Sequence, residues 1–99
     1  MPAYLHGEIE ITDSDAYEEY RRQVPAMIAA HGGRYLVRGG DAELLEGEGP
    51  LLRQIVLEFP SLAALRAFYD APEYQPLKAL RQRASTGRLV AVEGVMPLT

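Results

Sequence analysis

Apolar and polar residues alternate from Tyr4 to Ile11, with Leu5, Ile9 and Ile11 on one side and Tyr4, His6, Glu8 and Glu10 on the other. A period of two is that of a strand with one buried face. The period then changes. Asp13 stands where a helix N-cap belongs, and Asp15 suits the positive end of the helix dipole. Tyr17, Tyr20, Val24, Met27, Ile28 and His31 follow at helical spacing on one side. Pro25 is expected to kink or restart this helix, since proline lacks an N–H and crowds the preceding turn. Gly32-Gly33 stops it.

Arg34 to Arg38 reads as a second strand, ended by Gly39-Gly40, and residues 41–52 as a Glu- and Gly-rich loop or irregular hairpin arm closed by Gly49-Pro50. The third strand is Arg53 to Phe59. Pro60-Ser61 opens a helix with Leu62, Leu65, Phe68 and Tyr69 on one side. Asp70-Ala71-Pro72 breaks it, and Pro72 suits the start of a new helical segment carrying Tyr74, Leu77, Leu80 and Ala84 before Gly87. Arg88 to Glu93 is the last strand.

The order is βαββαβ, and its halves superimpose. A shift of 48 residues lays Glu10 on Glu58, Asp13 on Ser61, Tyr17 on Leu65 and Tyr20 on Phe68. Beyond the second helix the shift is 54, with Gly33 on Gly87 and Arg34 on Arg88, so the added residues fall near the Pro72–Pro76 break. A repeated split βαβ predicts an α+β, ferredoxin-like plait: an antiparallel four-stranded sheet with both helices on one face, formed by residues 1–99 as a single domain.

Ile9, Ile11, Ile55, Leu57 and Phe59 are placed under the helices. The central strands then turn Tyr4, His6, Glu8, Glu10, Gln54, Val56 and Glu58 outward. Arg34 and Arg38 join that outward set if Tyr35 and Val37 are the helix-facing pair of the second strand. An RNA-recognition sheet stacks bases on aromatics at these central positions. Here glutamates occupy them and would repel phosphate. A bare, mixed face of this kind is expected to pair with a second copy, making the partner a homodimer, with Arg–Glu contacts across the interface.

Composition adds exclusions. Of 99 residues, 47% are hydrophobic and 24% charged, the balance of a globular chain. The net charge of −4 lacks the basic surplus of a nucleic-acid binder. It is uneven, with ten acids and four bases in residues 1–50 against four acids and six bases in residues 51–99. Cysteine is absent, which removes disulfides, thiolate nucleophiles and Cys-based zinc sites. The two histidines form no HxH or HExxH spacing, so no metal and no cofactor is expected. No apolar run is long enough to span a membrane, no basic leader precedes the first strand, and a cytoplasmic location is the expectation.

Several segments in order carry a resemblance: Gly32-Gly33-Arg34-Tyr35-Leu36-Val37-Arg38-Gly39-Gly40, Glu46-Gly47, Glu58-Phe59-Pro60-Ser61 and Tyr69-Asp70-Ala71-Pro72-Glu73-Tyr74-Gln75. From Tyr4 to Gly94 the chain resembles the domain-of-unknown-function family thirteen-thirty. The resemblance implies a dimeric α+β barrel of ferredoxin-like protomers. That superfamily holds cofactor-free monooxygenases, muconolactone-isomerase-like and polyketide-cyclase-like enzymes, and plain ligand-binding modules. His6 departs from the family, whose members tend to carry an aliphatic residue there.

Candidate residues follow from chemistry. His6 is a candidate general base, with an interface hydrogen bond to Glu8, Glu58 or a partner chain as the other reading. Arg34 and Arg38, on one strand face, could clamp a carboxylate or pair with Glu58 or Glu10 across subunits. Glu58 belongs to the same group of ligand-binding candidates. Tyr69 and Tyr74 flank the helix break and could line a pocket beside the sheet or fill the gap left by the break. Tyr17 and Tyr20 read as core, and His31, in the last turn of the first helix, as a capping or packing residue.

Three functions stay open. The first is a homodimer binding a small organic ligand between sheet and helices. The second is a cofactor-independent enzyme of monooxygenase, isomerase or dehydratase type on a small aromatic or keto-acid substrate, using His6 or Tyr69 and Tyr74 with Arg38. The third is a purely structural association module.

Overall fold

The structure, a computed structural model, describes residues 1–95. β1 (Ala3–Ile11) lies inside the sheet, and its alternation is the reason. Ala3, Leu5, Gly7 and Ile9 are buried, while Tyr4, His6 and Glu8 are only partly covered. It pairs antiparallel with β3 (Arg53–Phe59) on one side and β4 (Ser85–Glu93) on the other. β2 (Arg34–Arg38) adds to the far side of β3, giving the order β2-β3-β1-β4. This is the ferredoxin-like α+β plait.

α1 (Ser14–Ala30) starts where Asp13 accepts a hydrogen bond from the Ala16 N–H at 3.1 Å. It runs unbroken through Pro25, so the expected restart there does not occur. Proline removes one N–H donor, the one that would serve the Arg21 carbonyl four residues back. A guanidinium N–H of Arg38 reaches that carbonyl instead, at 3.4 Å. At the other end Gly32 takes φ +78°, and the Gly33 N–H closes onto the Ile28 carbonyl at 2.9 Å. The His31 Nδ1–H bonds the Met27 carbonyl at 3.0 Å, which makes it a terminal cap.

α2 (Leu62–Asp70) is capped by Ser61, whose Oγ accepts from the Ala64 N–H at 3.0 Å. A 3₁₀ turn over Pro72–Tyr74 leads into α3 (Gln75–Ala84). Gln75 ties the break together by donating to the carbonyls of Tyr69 and Ala71.

β4 begins at Ser85, three residues before the expected start at Arg88. No glycine is needed to end α3, because the Ser85 hydroxyl caps the Arg81 carbonyl at 2.7 Å. Gly87 lies inside the strand, opposite Ile9, at φ +141°. A Cβ there would run into the Glu8 carbonyl of β1, so the position needs glycine on both counts.

All helices cover one sheet face. Val24, Phe59, Leu65, Phe68 and Tyr74 are the largest fully buried side chains. The slab measures 43 × 38 × 17 Å, and its thin dimension holds only two layers, sheet and helices. Among the described residues, no element lies over the second sheet face.

Candidate functional site

A cavity opens between the sheet and the helices. Leu5 and Ile9 of β1 with Ile55 and Leu57 of β3 form its floor, and Tyr17, Tyr20, Tyr35 and Tyr74 line its sides. Water-sized molecules fit within about 40 Å³ of it, and the whole space, open mouth included, is about 570 Å³. The Tyr20 and Tyr74 hydroxyls meet at 2.8 Å. Burial, more than any charge, pushes the Tyr20 hydroxyl far above the ordinary tyrosine pKa, and it raises Tyr17 and Tyr35 as well. These three rings are therefore neutral phenols at physiological pH. They offer O–H donors and do not serve as phenolate bases.

A β-bulge brings Arg38 to this cavity. Tyr35 lies opposite Leu57, Val37 opposite Val56, and Arg38 opposite Ile55. The extra residue is Leu36, and it inverts the in–out phase of the strand. Arg34 therefore stays on the open face while Arg38 turns to the helix side, so the expected placement of both on one face is corrected. The Arg38 guanidinium carbon sits 4.4 Å from the Tyr35 ring centroid, in cation–π contact.

Three further arginines line the cavity: Arg21, which is paired with Glu18 on its own helix, Arg53 and Arg81. Arg53 stands two residues before Ile55, so period two aims it at the helix side. Its guanidinium packs against Gly39 (φ +70°), where a Cβ would collide with it, and an Nη donates to the Arg38 carbonyl at 3.4 Å. Arg81 comes from α3. Burial opposes its charge, but the oxygens of Tyr74, Tyr20 and Tyr69 outweigh that and raise its pKa above the usual arginine value. The Nε atoms of both Arg53 and Arg81 are fully buried and find no acceptor among the described residues. Among the described residues, no Asp or Glu lines this cavity.

The open face carries different chemistry. Arg34, Glu58, Tyr4 and Val92 form one row across the four strands, and Val37, Val56, His6 and Val90 the next. The Arg34 Nε–H donates to Glu58 at 2.8 Å and the Tyr4 O–H donates to its other oxygen at 3.1 Å. Those two bonds, Arg34's first, hold the Glu58 carboxyl below the ordinary range. His6 Nε2 lies 2.9 Å from the Gln54 Oε1.

The sequence profile of Domain of unknown function (DUF1330) matches residues 2–95. The chain belongs to this family. No curated protein matches it. Among solved structures, the DUF1330 chain is similar to the RPA0582 protein of unknown function from Rhodopseudomonas palustris. The TM-score is 0.78 at 21% identity over 97% of this chain and 84% of that one. It is also similar to SnoaB, a cofactor-independent oxygenase from Streptomyces nogalater, with a TM-score of 0.64 at 14% identity over 98% and 96%. Rv0793 from Mycobacterium tuberculosis gives 0.53 at 21% over 100% and 97%. Identities this low speak to a shared fold.

The DUF1330 chain thus divides its sequence-predicted site residues. Arg38 and Tyr74 line the cavity, whereas His6, Arg34 and Glu58 lie together on the opposite side of the sheet. Tyr69 is half-buried beside Tyr74, its ring 4.1 Å under the Lys78 ammonium, and faces a polar groove with Ser85 and Thr86. Tyr17 and Tyr20 are core residues as expected, yet they also line the cavity. Arg21, Arg53 and Arg81 are cavity residues with no place among the sequence-predicted candidates, and Tyr35, expected to face the helices, lines the cavity too. Among the described residues, no three His, Asp or Glu side chains group as metal ligands.

The Arg34–Glu58–Tyr4 row predicts a pH dependence. The folded pKa of Glu58 lies below its unfolded value near 4.5, so its contribution is present above that pH and is lost as pH falls through the folded value. Glu58→Gln is expected to lower Tm at neutral pH and to match wild type in acid. A Tm difference that stays constant down to about pH 3 would contradict the network.

Proposed function

We propose that this DUF1330 protein is a self-associating binder of a small organic molecule, which it takes between sheet and helices. The observation that supports the reading is the cavity itself: an apolar floor, neutral phenols and convergent guanidiniums, the mix of apolar wall and few polar groups typical of ligand sites. The uncovered sheet face supports the association. It combines a valine row with a satisfied Arg–Glu–Tyr row and lies on a slab only two layers thick.

Thermal denaturation against a panel of small aromatic and keto-acid compounds tests the ligand. A compound present at about 100 times its Kd stabilises by about 2.7 kcal/mol, which is a shift of roughly 10–20 °C for a domain of this size. A panel without any shift overturns the reading. Sedimentation equilibrium is expected to return twice the chain mass, and the single-chain mass at every concentration would remove the association.

One observation favours a second reading, a cofactor-independent enzyme. Phenol and guanidinium donors aimed into a secluded space can stabilise negative charge as it develops on a substrate. In that reading the acting groups are Tyr20, Tyr74, Arg53 and Arg81. His6 belongs to the other face. Turnover of a bound compound, abolished in Arg53→Gln, distinguishes it from simple binding.

A further inference from the structure

We infer that the ligand of the cavity is a carboxylate with a flat apolar body, its charged end held between Arg53 and Arg81. This rests on the ligand-binding reading above and adds the chemical class.

The charge balance leads to it. The chain carries 14 acids and 10 Lys or Arg, so carboxylates are plentiful. The ion pairs among the described residues join Arg21 to Glu18, Arg22 to Glu19, Arg34 to Glu58 and Arg66 to Asp70. Arg38, Arg53 and Arg81 take part in none of them and line one cavity beside the Glu18-paired Arg21, and no Asp or Glu among the described residues lines it. Arginine cannot shed its proton to escape burial. A buried guanidinium donor is costly unless an acceptor meets it, and two such donors, the Nε–H groups of Arg53 and Arg81, are buried here without one.

Geometry narrows the anion. An arginine presents Nε–H and Nη–H as a planar fork, which matches the two oxygens of a carboxylate. Phosphate sites are commonly cradled by glycine-rich loops or helix N-termini, and among the described residues the only glycine in this wall is Gly7, in mid-strand. Leu, Ile and aromatic side chains make up most of the rest of the lining, which suits a planar hydrocarbon body beside a small charged head. Gly39 contributes by leaving space for the Arg53 guanidinium to lie flat against the chain.

Matched pairs separate charge from shape. Calorimetric titrations of wild type with benzoate and benzamide, and with phenylacetate and phenylacetamide, vary the head while keeping the body. Each carboxylate is expected to bind at least about tenfold more tightly than its amide, the value of one charge-assisted hydrogen bond. Arg53→Gln and Arg81→Gln should each weaken the carboxylate by at least about tenfold, and Arg66→Gln, on the exposed face of α2, should leave it unchanged. Equal binding of acid and amide overturns the carboxylate inference while the ligand reading stands. Inorganic phosphate binding as tightly as benzoate overturns it as well. Failure of both members of every pair counts against the inference, and the broader compound panel then decides the underlying reading separately. Circular dichroism checks that the variants fold; where one does not, the acid-against-amide ratio on wild type decides alone.

Discussion

Phe68→Ala is expected to cost about 3–5 kcal/mol of folding stability, a large part of the roughly 5–15 kcal/mol a domain of this size possesses. Phe68 is 1% exposed and sits at the middle of an aromatic chain. Its ring lies 4.5 Å from Tyr74, 5.4 Å from Phe59 and 6.0 Å from His31, centroid to centroid. It therefore joins β3, the end of α1 and the 3₁₀ turn through one side chain on α2. Truncation leaves a hole these elements cannot all close, since each is also fixed by its own hydrogen bonds. The effect should reach the cavity too, because Phe68 and Tyr74 both line it. Urea denaturation measures the loss. A cost under about 1 kcal/mol would mean that the cluster is not the packed centre described. Phe68→Leu, which keeps most of the volume, should cost markedly less.

The strands, the caps and the doubled topology were legible because each depends on neighbours in sequence. Asp13 and Ser61 cap the helices they precede, and the even-numbered residues of β1 point to the open face as their alternation requires. What failed to show were features decided by residues far apart. Arg34 to Arg38 reads as a regular five-residue strand, and nothing within it marks Leu36 as a bulge. The bulge belongs to its register against β3. Pro25 looks like a helix breaker until Arg38, from another element, reaches the carbonyl that Pro25 leaves free. The same bulge thus places Arg38 in the cavity and within reach of α1.

The cavity arginines were partly legible. Period two carried back from Phe59, Leu57 and Ile55 lands on Arg53, and the stripe of Tyr74, Leu77 and Ala84 passes through position 81. Charge at those positions suggests an exposed strand end and a solvated helix face. Only the packing of α1 and α3 over the sheet encloses them. For Tyr17 and Tyr20 the pattern identified burial correctly, but the existence of a space beside them depends on how well the layers fill it.

Val56→Glu is expected to convert the proposed dimer to monomer across the micromolar range. Val56 lies between Val37 and His6 in the valine row, and Val90 completes that row on β4. Two copies placed face to face around a two-fold axis bring this row against itself or its neighbours. A glutamate there must be buried beside Glu58 on its own strand, with Glu8 and Glu10 on the same face of β1, and with the same acids from the second copy. Unpaired charge in an interface core costs several kcal/mol, and about 4 kcal/mol is a thousandfold in Kd. The fold should persist, because surface substitutions of this kind shift stability by about 0.5 kcal/mol or less. Sedimentation velocity together with the melting curve separates the two effects. A variant that stays dimeric with an unchanged Kd would place the association elsewhere, with the exposed Leu44, Leu45 and Leu51 of the 39–52 loop as the next surface to alter.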